Sequence, residues 1–162
     1  MMEAVSRSLN RLAEWAMVLL LAAMALVTGL AIAGRFLFSY SLFWSDELTR
    51  FLLIWISFLG MSVGVRRGAH PGIDSLTRAL SPRAARIVLS CAAALSLLFF
   101  AVMAAYGGVL VLRTWPQRSP SMGLRMSVPY LAVPVTGLLM LFHGFALWLR
   151  GETASRERSA GW

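Results

Sequence analysis

Lysine is missing from this chain of 162 residues, and all fifteen of its basic side chains are arginine. We read this as a bias of genomic base composition, although arginine also suits paired and interfacial sites better than lysine does. Charge of either sign is scarce. Only 14% of residues are charged, against about a quarter in an ordinary soluble domain, which excludes that class. One cysteine, Cys91, excludes an intrachain disulfide and a cysteine-based metal cluster. The two histidines, His70 and His143, lie far apart in sequence and speak against a histidine metal site. There is no GxSxG, no HExxH, no catalytic pairing around Cys91 and no glycine-rich phosphate loop, so the sequence points away from an enzyme and implies no cofactor. A net charge of +8 could suggest nucleic acid, but in so apolar a chain membrane topology accounts for it, and no nucleic-acid partner is expected.

What is present is apolar sequence. Hydrophobic residues make up 59% of the chain and the mean hydropathy is +0.72. The length accommodates four spans of roughly 20 residues with short connections and no separate soluble domain. The expected fold is an all-α integral membrane protein over residues 1–150, with spans at about 13–33, 48–65, 83–112 and 128–148, short amphipathic surface helices, and a disordered cytoplasmic tail at 151–162. Residues 1–12 space Met1, Met2, Val5, Leu9 and Leu12 as an interfacial lead-in to the first span. A signal peptide competes for this region, with Arg7 and Arg11 as its basic part and Ala31-Ile-Ala33 as a cleavage-like site, but its apolar run is too long and three further spans follow.

Residues 34–47 carry Phe36, Phe38, Tyr40, Phe43 and Trp44, rings that favour the membrane surface. The stretch Trp44-Ser-Asp-Glu-Leu-Thr-Arg50 then reads as a helix start. Ser45 is placed to cap it, Asp46 and Glu47 complement the dipole, and Arg50 can fold back onto either carboxylate. The second span ends at Arg66 and Arg67. Ile73, Leu76 and Leu80 mark a short amphipathic helix, and Ser81-Pro82 opens the third span. That span is roughly 30 residues or about 45 Å long, more than the apolar core needs. Residues 113–127 form a loop, and Pro134 should kink the last span.

Arginine placement sets the expected orientation. Ten arginines lie in the N-terminal segment, the second-to-third connection and the tail, and five lie on the other side. Both termini are therefore expected in the cytoplasm. Glu14 invites comparison with small four-helix antiporters that exchange protons at a first-helix carboxylate. Its place beside Trp15 and one turn from Arg11 favours an interfacial anchor or ion pair instead. Spans one, three and four otherwise lack a central ionisable residue, the usual mark of an ion path. His143 suits an interfacial or helix-packing role. Gly60 and Gly64, like Gly29 and Ala33, form small-residue ridges that allow close helix approach, within the chain or onto a larger membrane partner. Trp44, Asp46, Glu47, Arg50, Trp55, Gly60 and Gly64 are the candidate assembly residues. Arg66, Arg67 and His70 are candidates for a cytoplasmic rim at lipid headgroups.

The block W-S-D-E-L-T-R-F-L-L-I-W (44–55), with F-L-G (58–60), V-R-R-G-A-H (65–70) and I-D (73–74), resembles the small, DctQ-type permease subunit of tripartite ATP-independent periplasmic (TRAP) transporters. Gln117, Ser119, Pro120, Gly123 and Y-L-A-V-P-V (130–135) also fit, whereas Arg125 and Pro129 depart from the smoother apolar start of the last span in relatives. The resemblance implies an inner-membrane accessory subunit without a transport site of its own. It would pack on a large M-type permease that takes up an organic-acid-type solute on an ion gradient, the solute being delivered by a periplasmic P-type binding protein.

Overall fold

Backbone amides and carbonyls in hydrocarbon must bond within their own segment, so long apolar runs fold as helices. The computed structural model describes residues 2–67 and 80–149. Four of its helices are long and apolar enough to cross a membrane. Helix α1 covers Met2–Leu37 and joins the expected lead-in and the first span into one continuous helix. Helix α2 covers Ser45–Arg67. Helix α3 covers Pro82–Thr114 and opens on the Ser81-Pro82 pair, where the Ser81 hydroxyl accepts from the Ala84 amide at 3.4 Å.

The last crossing is interrupted. A single turn, α4 (Ser127–Tyr130), is followed by Leu131 and then by α5 (Ala132–Leu149). Pro134 has no N–H to give the Tyr130 carbonyl, so the break falls at Leu131, one turn before the proline that causes it. The amides of Leu131 and Val135 bond to Ser127 and Leu131 carbonyls at 2.9 and 3.2 Å, which carries the chain through the break.

The helices stand in a row, α1–α2–α5–α3, bent so that α1 also reaches α5. In its most apolar stretch α1 has 0% of residues buried and α3 6%, against 22% and 33% for the inner helices. The outer helices therefore turn most of their surface away from the chain. Between α1 and α2 a small core forms from Ala13, Leu59 and Val63, with Met17, Trp55 and Leu139 against it.

Helices α3 and α5 approach closely at two glycines. A Cβ at Gly107 would come within 2.8 Å of the Pro134 nitrogen, and one at Gly137 within 2.9 Å of the Ala104 nitrogen. The ridges picked from sequence are looser. Gly60 faces only the Met17 methyl at 3.4 Å, and Gly64 and Gly29 have nothing within 4 Å. The amphipathic segment expected at 73–80 lies largely outside the described residues, as do His70 and the tail from 150.

Candidate functional site

Two polar sites lie at opposite ends of the helices. The first is built on the opening turns of α2. Trp44, whose carbonyl accepts from the Leu48 amide at 3.1 Å, takes the capping position expected of Ser45. Ser45 is instead the first helical residue, and its hydroxyl donates back to the Leu42 carbonyl at 2.7 Å. Ser45 does not cap the helix because a turn at 42–45, closed by its amide on the same Leu42 carbonyl at 3.0 Å, holds an acceptor against its hydroxyl.

Beyond Thr114 the chain folds into a tight hairpin, with Arg118 and Arg125 paired across it. Gly123, at φ +65°, makes the reversal that a side chain would resist. The Ser119 hydroxyl accepts from the Leu124 amide at 3.1 Å, and Arg118 donates to the Gly123 carbonyl at 3.0 Å. The Arg125 guanidinium lies 4.4 Å over the Trp115 ring. This rigid loop presents the Ser121 amide to Glu47, which accepts it on Oε2 at 2.8 Å. A bond to a charged acceptor is roughly twice as strong as a neutral one, so Glu47 pins the loop to α2 across 74 positions of sequence.

Arg50 does not fold back onto Asp46 or Glu47 as its spacing suggested, and among the described residues it forms no ion pair. Glu47 has turned inward to the loop, while Asp46 and Arg50 remain exposed. Asp46, Glu47 and Arg50 instead share a cleft of about 360 Å³ with Phe43, Ser121 and Tyr130. Trp55 stands apart from it. It lines a larger apolar groove of about 720 Å³ running between α1, α2 and α5.

The second site ties the other end together. Arg66 Nη1 donates to the Ser6 hydroxyl at 2.7 Å, and Ser6 Oγ lies 2.8 Å from His143 Nδ1. The Ser6 hydroxyl accepts from arginine and can still donate to Nδ1, or accept from it, according to the imidazole tautomer. Ser6 is 0% and His143 1% exposed, so three helices meet at a largely buried polar knot. Arg66, half-buried at the end of α2, turns its guanidinium toward α1 at Ser6. Arg67 is helical in backbone, and its side chain lies outside the described residues. Glu14 accepts from Asn10 at 2.9 Å, one turn away on α1.

The two knots share an arithmetic of direction. Residues 6, 66 and 143 meet at one end and residues 47 and 121 at the other, so the four crossings alternate. Sequence reasoning gave no role to Ser6 or Ser121 and named Ser119 only for the family resemblance. Serines in polar segments carry no signal of their own, and the partners of Ser6 and Ser121 lie 60 to 137 positions away. Among the described residues no group of three or more His, Cys, Asp or Glu side chains gathers into a metal site.

Comparison with known proteins agrees with the motif order. Residues 24–153 match the family model for tripartite ATP-independent periplasmic transporters, DctQ component. The chain is 33% identical over 122 residues to the C4-dicarboxylate TRAP transporter small permease protein DctQ of Rhodobacter capsulatus, covering 72% of this chain and 54% of that one. It is 32% identical over 126 residues to the ectoine TRAP transporter small permease protein TeaB of Halomonas elongata, covering 74% and 65%. It is also 29% identical over 120 residues to the isethionate TRAP transporter permease protein DctMQ of Oleidesulfovibrio alaskensis, covering 73% of this chain but 18% of that polypeptide. The chain thus spans between about half and two-thirds of the length of the small permease relatives named here. A match over residues 24–153, most of its length, shows that the chain belongs to the DctQ component family of tripartite ATP-independent periplasmic transporters, a family of transporter components and not of enzymes.

Proposed function

We propose that this chain is the small membrane subunit of a TRAP-type secondary transporter in a bacterial inner membrane. It supports a large M-type permease in ion-gradient-driven uptake of an organic-acid-type solute delivered by a periplasmic P-type binding protein. The observation that carries this reading is the fused relative: the chain matches only 18% of the DctMQ permease polypeptide, so there the homologous segment is covalently part of a much larger permease. The sialic acid TRAP permease protein SiaT of Haemophilus influenzae supports it in the same way, with 22% of its length matched.

In this reading both termini and the Ser6–Arg66–His143 knot are cytoplasmic, as the arginine distribution favours. Asp46, Glu47, Arg50 and the 115–126 loop then face the periplasm. Trp44, Trp55, Gly60 and Gly64 belong to assembly surfaces, and Gly64, open within the chain, is left for a partner's helix. An autonomous antiporter using Glu14 is the weaker reading, since the relatives' names are those of transporter subunits. Co-expression with a large permease tests the assignment. A stable complex, and uptake that requires both chains, are expected. Proton-coupled transport by this chain alone in liposomes, abolished by Glu14→Gln, would sink it.

A further inference from the structure

Tyr106 carries a hydroxyl at a depth where a bilayer offers it nothing to bond. The residue is 72% exposed on α3, and among the described residues its side chain makes no hydrogen bond, ring contact or charge contact. Contact with the last crossing fixes its depth. That crossing runs from Ser127 to Trp148, so its middle falls at Gly137, the residue that meets Ala104 of α3. Tyr106 lies two residues beyond Ala104, about 3 Å at 1.5 Å per residue. The end of α3 at Thr114 is eight residues further, about 12 Å. Helical side chains lean toward the N-terminus of their own helix. For Tyr106 that lean runs back toward mid-depth, so the ring does not carry its hydroxyl up to the membrane surface.

Lipid tails hold no acceptor, and a hydroxyl left unbonded in hydrocarbon is costly. Polar side chains at such depths bond across to neighbouring helices, and within this chain no helix stands on that side of Tyr106. From this placement we infer that Tyr106 donates a hydrogen bond to an acceptor on a helix of the large permease, along a seam formed by one face of α3. Leu95, Phe99, Val102, Tyr106 and Val109 share that face by their spacing, and all five are exposed. The most apolar stretch of α3 is only 6% buried by its own chain, which leaves the face open for a partner. The large permease is the chain indicated, because in the DctMQ and SiaT relatives the homologous segment is part of a much longer permease polypeptide. The inference rests on the proposed assembly with that subunit, and its test keeps the two apart.

The first arm locates the seam. Cys91→Ala with Val102→Cys leaves one thiol on this face, which is labelled with bimane and placed in vesicles of dibrominated phosphatidylcholine, whose tails quench a dye that they touch. The label should be quenched in the isolated chain and lose most of that quenching in complex with the large permease. The second arm tests the bond. Tyr106→Phe removes the hydroxyl alone, so it should leave unfolding of the isolated chain unchanged. It should weaken the complex in detergent about threefold to tenfold, as for a hydrogen bond between helices in a membrane. A label that blocks a complex the unlabelled chain forms also supports the seam. A stable complex whose label stays as quenched as before refutes the seam while keeping the subunit assignment. Undiminished affinity of the phenylalanine variant, or loss of stability in the isolated chain, overturns the hydrogen bond to the permease. Shielding that appears in the isolated chain as its density in the vesicles is raised would give the face to a second copy and overturn the inference. Absence of any complex, labelled or not, removes the inference together with the assignment.

Discussion

Gly107 and Gly108 are neighbours in α3, chemically identical, and should respond to the same substitution with opposite signs. Alanine in place of glycine within a helix gains about 1 kcal/mol from the backbone alone. At Gly108 nothing lies within 4 Å of the added methyl, so that gain should appear nearly undiminished. At Gly107 the methyl would sit 2.8 Å from the Pro134 nitrogen, and 2.9 Å from both Pro134 Cδ and Val133 Cγ1. Two of these atoms belong to a ring and backbone that cannot turn aside, and forced overpacking of this kind costs typically 1–3 kcal/mol. Gly107→Ala should therefore be less stable than Gly108→Ala by about 1–3 kcal/mol. Reversible unfolding in mixed micelles, followed by far-UV circular dichroism or steric trapping, measures that difference directly. It cancels whatever the micelle does to helix propensity. Equal stabilities for the two variants would mean that α3 and α5 do not meet at Gly107, and the helix order would have to be redrawn.

Three further outcomes follow from the same geometry. Ser6→Ala and His143→Ala should each cost about 1–3 kcal/mol, because each leaves a buried polar group unpaired. The double variant should cost clearly less than their sum, and strict additivity in a double-mutant cycle would show that the two side chains are not in contact. Glu47→Ala should raise hydrogen exchange at the Ser121 amide by at least about tenfold, given the roughly 1.5–3 kcal/mol of a bond to a charged group, while leaving solute selectivity of an assembled transporter unaltered. Exchange that does not change would show the loop to be held by its own hairpin. Gly64→Leu should not lower the stability of the isolated chain, since nothing lies within 4 Å of an added Cβ and leucine is the better helix former, yet it should lower recovery of a complex with the large permease. Undiminished recovery would remove Gly64 from the assembly surface.

The crossings were legible because hydrocarbon demands a helix wherever an apolar run is long enough, and Ser81-Pro82 showed where one begins. Neighbour order was not legible. With lipid on one side and apolar helix on the other there is no inward-facing stripe to read, so nothing in α1 says that it sits beside α2 and not α3. The small-residue rule was applied at Gly60 and Gly64 by spacing, whereas the tight contact formed at Gly107 and Gly137, where a proline-broken helix offers a flat ring and a side-chain-free face. The Trp44–Arg50 stretch showed its acids but not their use. Helix spacing put Arg50 in reach of Glu47, and a backbone amide 74 positions on prevailed because the hairpin delivers it at no further cost in side-chain order. His143 was weighed for packing, yet its partner Ser6 sat in a segment read as interfacial.

Seen as carpentry, the molecule is a panel with one folded edge. Helices α1, α2 and α5 touch one another, whereas α3 hangs from the α4–α5 crossing. The outermost helices turn their apolar stretches almost wholly outward, so most of what the panel shows its surroundings is surface fit for lipid or for the helices of another chain.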